Sequence, residues 1–260
     1  MTNVAPAPEL SGWMLAAFFG TGLVAGFVDS IAGGGGLITL PVVLNAGLPP
    51  QLALGTNKLQ ACFGSASAAF HHVRARTVAL SECARGVIFT AIGAAAGTLL
   101  VRKIDPAFLK QFIPIILVAI AGYMLLRPQL GEEARTPRTT AKRFYLAAGL
   151  GLGFYDGFLG PGTGSFWTMA FMLGLGFNMT RATGYTKVMN FTSNVISLSL
   201  FAASGRVLYG AGVVMGIGQL IGARIGSGLV IQRGAKFIRP IFIAMVLALT
   251  LKLLYDSHRS

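Results

Sequence analysis

This sequence predicts an all-α polytopic membrane protein made of two inverted repeats, each with about five membrane segments and one short re-entrant or broken helix. Three observations carry that expectation. Hydrophobic residues make up 54% of the chain and charged residues 11%, with a mean hydropathy of +0.69, whereas a soluble domain carries about 25% charged residues. A motif containing glycines, an aspartate and a lysine occurs once in each half. In both halves it leads into an apolar segment too short to cross a bilayer comfortably.

Taken in order, the first apolar run is 12–28. No Lys or Arg precedes it and no small-residue cleavage site follows, so it is expected to remain as a membrane segment rather than a cleaved signal peptide. Nearly uncharged runs follow at 36–48, 52–70, 86–101 and 112–126, and again at 144–155, 164–177, 182–203, 207–232 and 237–251. The expected division is therefore a first repeat at 1–127, a connector at 128–143 and a second repeat at 144–260. Runs 36–48 and 164–177 fall well below the roughly 20 helical residues that a hydrocarbon core of about 30 Å requires. Each follows a glycine cluster and contains Pro41 or Gly174, so a half-helix buried among other helices is expected, since irregular backbone at membrane depth is tolerated only there.

The duplication is read directly from spacing. Gly26, Phe27, Asp29, Gly33 and Gly35 match Gly153, Phe154, Asp156, Gly160 and Gly162 at an offset of 127, and Lys58 matches Lys187 at 129. Gly93 and Gly97 match Gly222 and Gly226, also at 129. With Gly228, these last glycines are expected to let helices approach closely through small faces. A charged, glycine-broken segment at corresponding places in two membrane halves points to a transporter's binding site.

Within that motif Lys58 and Lys187 are the sharpest candidates for substrate binding, because a lysine near mid-membrane costs at least ~2.5–3.5 kcal/mol on insertion scales. Snorkelling to an interface is the alternative, and recurrence in both repeats favours an anion contact. Thr56, Asn57, Gln60, Thr186, Asn190 and Asn194 lie within a turn or two, with Lys187, Asn190 and Asn194 on one helical face. The clusters Gly33, Gly34, Gly35, Gly36 and Gly160, Gly162, Thr163, Gly164 suit tight turns whose amides open a helix N-terminus, where an anion is attracted by free N–H groups and the dipole. Asp29 and Asp156 close the first segment of each repeat, where capping the next element and carrying a coupling ion or proton are equally open readings. Arg224, aligned with Ala95, is a candidate substrate contact or aspartate partner.

Other classes fit less well. Neither GGGGL nor GPGTG continues into the lysine and hydroxyl of a P-loop, so neither a nucleotide nor any other cofactor is expected. Cys62 and Cys83 provide no disulfide framework or thiolate metal site. An intramembrane serine hydrolase would need a base within the membrane, yet His71, His72 and His258 fall in a loop or the tail. An aspartyl protease dyad would need one carboxyl held protonated, and two lysines make a poor environment for that. The net charge of +13 resides mainly in short loops, as the positive-inside rule leads one to expect. No aromatic and basic interleaving suited to nucleic acid occurs.

DSIAGGGGLITLP at 29–41, AGLPPQLALGTNKLQ at 46–60 and the degenerate second copy from Asp156 to Lys187 resemble the sulfite exporter TauE/SafE family of membrane transporters, over nearly the whole chain. The resemblance implies a secondary carrier of small sulfur-containing anions such as sulfite or organosulfonates, multi-pass in the inner (cytoplasmic) membrane. Proton coupling is the expected energy source, with a passive anion channel and an intramembrane protease as rival classes. The expected partners are a small anion and the lipid bilayer, with room left for a homodimer. In the second copy, Pro161, Thr163 and Tyr185 stand for Gly34, Gly36 and Thr56.

Of the 18 Lys and Arg outside the segments, twelve fall on one side if all ten segments act as crossings, Arg74, Arg76, Arg85 and Arg181 among them. That side is then cytoplasmic, and both termini lie opposite. Reporter fusions at Ser260 should be active outside the cytoplasm; activity confined to the cytoplasm would rule this topology out and favour eight crossings, with the two short segments only dipping in and returning.

Overall fold

The computed structural model describes residues 11–126, 134 and 136–257, with side chains up to 233 apart from 32, 114, 117, 118 and 120–126. The first ten residues, residues 128–133 and 135 of the connector and His258 lie outside the described residues. All described regular structure is helical: α1 (Gly12–Ala32), α2 (Gly35–Asn45), α3 (Pro50–Arg74), α4 (Leu80–Val101), α5 (Pro106–Leu126), α6 (Ala141–Phe158), α7 (Thr163–Gly174), α8 (Met179–Ala202) and α9 (Tyr209–Ser257).

Local chemistry sets the boundaries. Gly33 ends α1 in the left-handed region at φ 78°, which glycine enters without steric cost. Pro50 opens α3 at a position where its missing N–H is no loss. Asn178 accepts from Arg181 N at 2.9 Å to cap α8. The short elements are present as expected: α2 has 11 residues and α7 has 12, about 16–18 Å of helix at 1.5 Å per residue.

Two expectations are corrected. Runs 207–232 and 237–251 belong to one continuous helix, α9, because Arg233 and Lys236 interrupt the hydropathy while remaining good helix formers. His71 and His72 lie in the last turn of α3 rather than in a loop, because the helix continues past its apolar stretch as far as Arg74, where basic groups suit a helix C-terminus.

Among the described residues three helices are long and apolar enough by composition to cross a membrane, at Gly12–Ile31, Leu80–Val101 and Tyr209–Arg233. Helices α3 and α8 are more polar because they occupy the centre, packed on each other and on α9 and α4 respectively. Outward-facing Ile88, Ile92, Leu99 and Ile225 are exposed and form a surface suited to lipid.

Helix contacts correspond between the halves. Helix α1 packs on α9 as α6 packs on α4, and the pairs α1–α2 and α2–α3 are matched by α6–α7 and α7–α8. The correspondence extends to single bonds at an offset of 129. Thr77 N donates to His72 O at 3.1 Å as Arg206 N donates to Phe201 O at 3.0 Å. Ala79 N donates to Tyr185 Oη as Leu208 N donates to Thr56 Oγ1. The corresponding helices α3 and α8 run antiparallel, since the end of α3 at His72 meets Gly184 while its start at Gly55 meets Phe201.

Glycine faces bring α1 against α9 and α4 against α6. A Cβ on Gly222 would fall inside the van der Waals envelope of the Leu23 carbonyl, and one on Gly97 inside that of Phe154, whereas one on Gly20 meets nothing within 4 Å. Gly222→Leu should therefore destabilise the fold by about 1–3 kcal/mol, the usual cost of overpacking. Gly20→Ala should be neutral, both read as thermal unfolding in detergent.

Candidate functional site

The site forms where α3 and α8 cross the middle of the bundle. Along α3, Leu54 belongs to one apolar cluster and Ala69 to another, and along α8 Phe201 belongs to the first and Tyr185 and Met189 to the second. Between those anchors both helices carry polar residues: Asn57, Lys58, Gln60 and Ser65 on α3, and Asn190, Ser193, Asn194 and Ser197 on α8, all buried.

Both lysines are buried, with side chains 2% exposed for Lys58 and 1% for Lys187, which excludes snorkelling. Each is paired with the aspartate of the other half. Lys58 Nζ lies 2.7 Å from Asp156 Oδ1 and donates to the Asp156 carbonyl at 2.5 Å. Lys187 Nζ lies 3.0 Å from Asp29 Oδ2 and donates to the Asp29 carbonyl. The sequence offers the aspartates as caps or coupling groups and the lysines as charges awaiting an anion; the structure pairs the two sets.

The aspartates differ in their remaining bonds. Asp29 Oδ1 accepts from Gly35 N at 3.2 Å, which makes it a cap for α2 as well as an ion-pair partner. Asp156 Oδ2 accepts from Ser193 Oγ instead. The Asp29 side chain is 16% exposed and that of Asp156 5%.

Glycines allow this geometry. Gly33 and Gly164 touch backbone to backbone, a Cβ on Gly164 falling 2.6 Å from Gly33 Cα, so the two glycine turns meet at the centre. A Cβ on Gly160 would stand 2.8 Å from Lys58 Nζ and 2.9 Å from Asp156 Oδ1. The spacing of the two copies changes within this turn. Thr39 Oγ1 donates to Gly35 O as Thr168 Oγ1 donates to Gly164 O, an offset of 129, while the aspartates differ by 127. Gly35 thus corresponds to Gly164 rather than Gly162, and the second copy carries two extra residues between α6 and α7.

One small, partly open cavity of about 30 Å³ gathers much of the expected site. Lys58, Asp29, Asp156, Asn57, Asn190 and Asn194 line it, together with Gly33, Gly36, Gly160, Gly162, Thr163 and Gly164. Gly34, Gly35, Thr56, Thr186 and Lys187 are not in its wall. Thr56 bonds the backbone at Leu208, Thr186 meets Thr168 Oγ1 at 3.1 Å, and Lys187 sits behind Asp29. Some turn amides expected to face an anion are spent internally: Gly35 N on Asp29, Thr163 N on Gly160 O and Ser165 N on Gly162 O. Arg224 is exposed and takes no part.

Sequence reasoning missed Gln219 of α9, which also lines the cavity. Its carboxamide lies against Gly64, whose Cβ would meet Gln219 Nε2 at 2.8 Å. The aligned residue in the first half is Thr90, so no repeated signal marked it. Gln60 is tied into a polar cluster, donating to Asn57 Oδ1 at 2.9 Å and Thr39 Oγ1 at 3.2 Å.

Buried charge pairs and half-length helices around a small polar cavity, inside a bundle with lipid-suited outer faces, define a membrane transporter. The family model for the sulfite exporter TauE/SafE matches residues 18–253, and the chain belongs to that family. The probable membrane transporter protein YfcA of Escherichia coli (strain K12) is 46% identical over 249 residues, covering 96% of this chain and 93% of that protein. A probable membrane transporter protein of Haemophilus influenzae is 46% identical over 244 residues, covering 94% and 96%. YunE of Bacillus subtilis, also named a probable membrane transporter protein, is 23% identical over 267 residues. No solved structure matches the chain.

The ion pairs set the expected mutant pattern. Removing one member leaves a buried unpaired charge and costs about 3–5 kcal/mol, while replacing both with apolar groups is often close to neutral. Lys58→Met alone should thus lower the melting temperature, and Lys58→Met with Asp156→Leu should recover most of the loss. A double variant no more stable than the single would show that the pair does not hold the fold.

Proposed function

We propose that the protein is a secondary transporter of small anions of the sulfite or organosulfonate class, coupled to protons, with two inverted repeats that exchange access to a central site in the inner membrane. The observation that carries this reading is the reciprocal pair of ion bridges, Lys58–Asp156 and Lys187–Asp29, each joining one half to the other beside the cavity. The antiparallel course of α3 and α8 supports inversion, and the family's description supports sulfite.

The bridges supply a coupling rule. An anion that reaches Lys58 must displace the Asp156 carboxylate, which would then be a buried charge without a partner. A proton on that carboxylate removes the penalty, and the freed ammonium accepts the anion. Either event alone leaves an uncompensated charge in a low-dielectric setting, at several kcal/mol; both together conserve the local charge. The same exchange is open to Lys187 and Asp29. A cavity of about 30 Å³ has room for about one water, too little for a sulfite or sulfonate, so binding one requires the halves to move. A site that must open to admit its substrate favours a carrier over a passive channel.

Asp29→Asn keeps an acceptor for Gly35 N while removing the charge, and so separates capping from coupling. In proteoliposomes it should abolish accumulation of labelled anion driven by a proton gradient while leaving anion exchange largely intact. Normal gradient-driven accumulation by both Asp29→Asn and Asp156→Asn would assign the aspartates to structure alone. A panel of sulfite, thiosulfate, sulfonates and carboxylates read by uptake and by thermal shift identifies the anion, and a preference for carboxylates would overturn the sulfur assignment.

A further inference from the structure

The two halves differ sharply at one place where their folds coincide. In the first half Gly55 of α3 packs against Phe201 of α8, with Leu54 beside it, and both side chains are buried in apolar surroundings. At the matching place, 129 residues on, Gly184 of α8 packs against the ring of His72 of α3, with Thr183 beside it. The same backbone frame is therefore dry on one side and polar on the other.

The polar version is incompletely satisfied. His72 is fully buried, and its Nδ1 lies 2.8 Å from Thr77 Oγ1, a half-buried residue next to the loop that carries Arg76. His72 Nε2 and Thr183 Oγ1 are both buried without a hydrogen-bond partner. Buried polar atoms left so are rare and costly, so their retention calls for a use. Gly184 leaves room for the ring: a Cβ there would fall 2.8 Å from His72 Nδ1. Thr183 stands one helical turn before Lys187, on the same face of α8, and Lys187 holds Asp29. The Lys187 ammonium and His71 are the titratable groups whose charge acts on His72.

We propose that Thr77, His72 and Thr183 form a proton route from the surface bearing Arg74 and Arg76 to the Asp29–Lys187 bridge, and that Leu54 and Phe201 seal the corresponding place in the other half. A proton enters from surface water onto the Thr77 hydroxyl, which turns from the His72 carbonyl that it bonds at 3.0 Å toward the ring; the imidazole, in the tautomer protonated on Nε2, takes a proton on Nδ1 and yields one from Nε2, and the Thr183 hydroxyl, with water, passes it to the Asp29 carboxylate. One proton leaves the bulk and one arrives at Asp29; the side chains between are carriers only. Asp29, the more exposed of the two aspartates, is thus the group that loads first. This assignment rests on the proton coupling proposed above.

The test copies one half onto the other. His72→Phe reproduces Phe201, and Thr183→Leu reproduces Leu54. In proteoliposomes, accumulation of labelled sulfite under a proton gradient should fall about 100-fold or more in either variant, the low end of what a positioned proton-transfer group contributes. Sulfite counterflow at equal pH should stay within about twofold of wild type, since the anion contacts remain. His72→Gln, which keeps hydrogen bonding at that position without titrating, should behave like His72→Phe. Gradient-driven accumulation unchanged in all three variants overturns the route alone. Loss of gradient-driven transport and counterflow in parallel, with unaltered thermal unfolding, also overturns it, because His72 would then act on the site generally. A wild type that exchanges sulfite but ignores the proton gradient overturns the coupling itself.

Discussion

The structure depends on two ammonium–carboxylate pairs held out of water, each spanning the boundary between the halves. A lone lysine or aspartate at that depth would cost several kcal/mol, and each pair offsets that cost only while the halves remain in register. The lysines also donate to the carbonyls of the residues they pair with, which fixes the ends of α1 and α6 as well as their side chains. Around this centre the remaining features follow. Glycine turns meet backbone to backbone so that both pairs fit, α2 and α7 stop short of a full crossing, and α3 and α8 turn their polar faces to one another.

Much of this was legible because a duplicated sequence marks what each half repeats. Asp29, Lys58, Asp156 and Lys187 stood out as charges recurring at fixed places in apolar sequence, and most of the glycines and asparagines around them do line the cavity. What spacing could not supply was partnership. An offset pairs each residue with its copy, whereas the structure pairs each lysine with the aspartate of the opposite half, a contact decided by how the ends of α1 and α6 meet the central helices. The turn alignment erred for a related reason: glycines are interchangeable by eye, and only the threonine bonds at Thr39 and Thr168 reveal the two inserted residues. Gln219 and His72 carried no repeated signal, since Thr90 and Phe201 stand at their counterparts. Hydropathy failed where charge and helix continue together, at the end of α3 and between Arg233 and Lys236.

Near-symmetry with local differences fits a carrier whose halves must trade places yet face different compartments. The shared frame supplies two nearly equivalent closed contacts, so a conformational exchange breaks and remakes similar bonds. The differences, Ser193 on Asp156 against an α2 cap on Asp29, and His72 against Phe201, leave the two bridges in chemically unequal surroundings.

The central claim is that an anion and a proton are taken up together because each removes the penalty of the other at a lysine–aspartate bridge. Proton uptake on anion binding measures this directly, in purified protein in weakly buffered detergent solution, with methanesulfonate as a probe that stays ionised throughout. Linkage requires about one proton bound per anion bound, reduced sharply when Asp29 and Asp156 are both asparagine. Saturable methanesulfonate binding with no proton uptake at any pH between about 5 and 8, where proteins are most stable, would contradict the account.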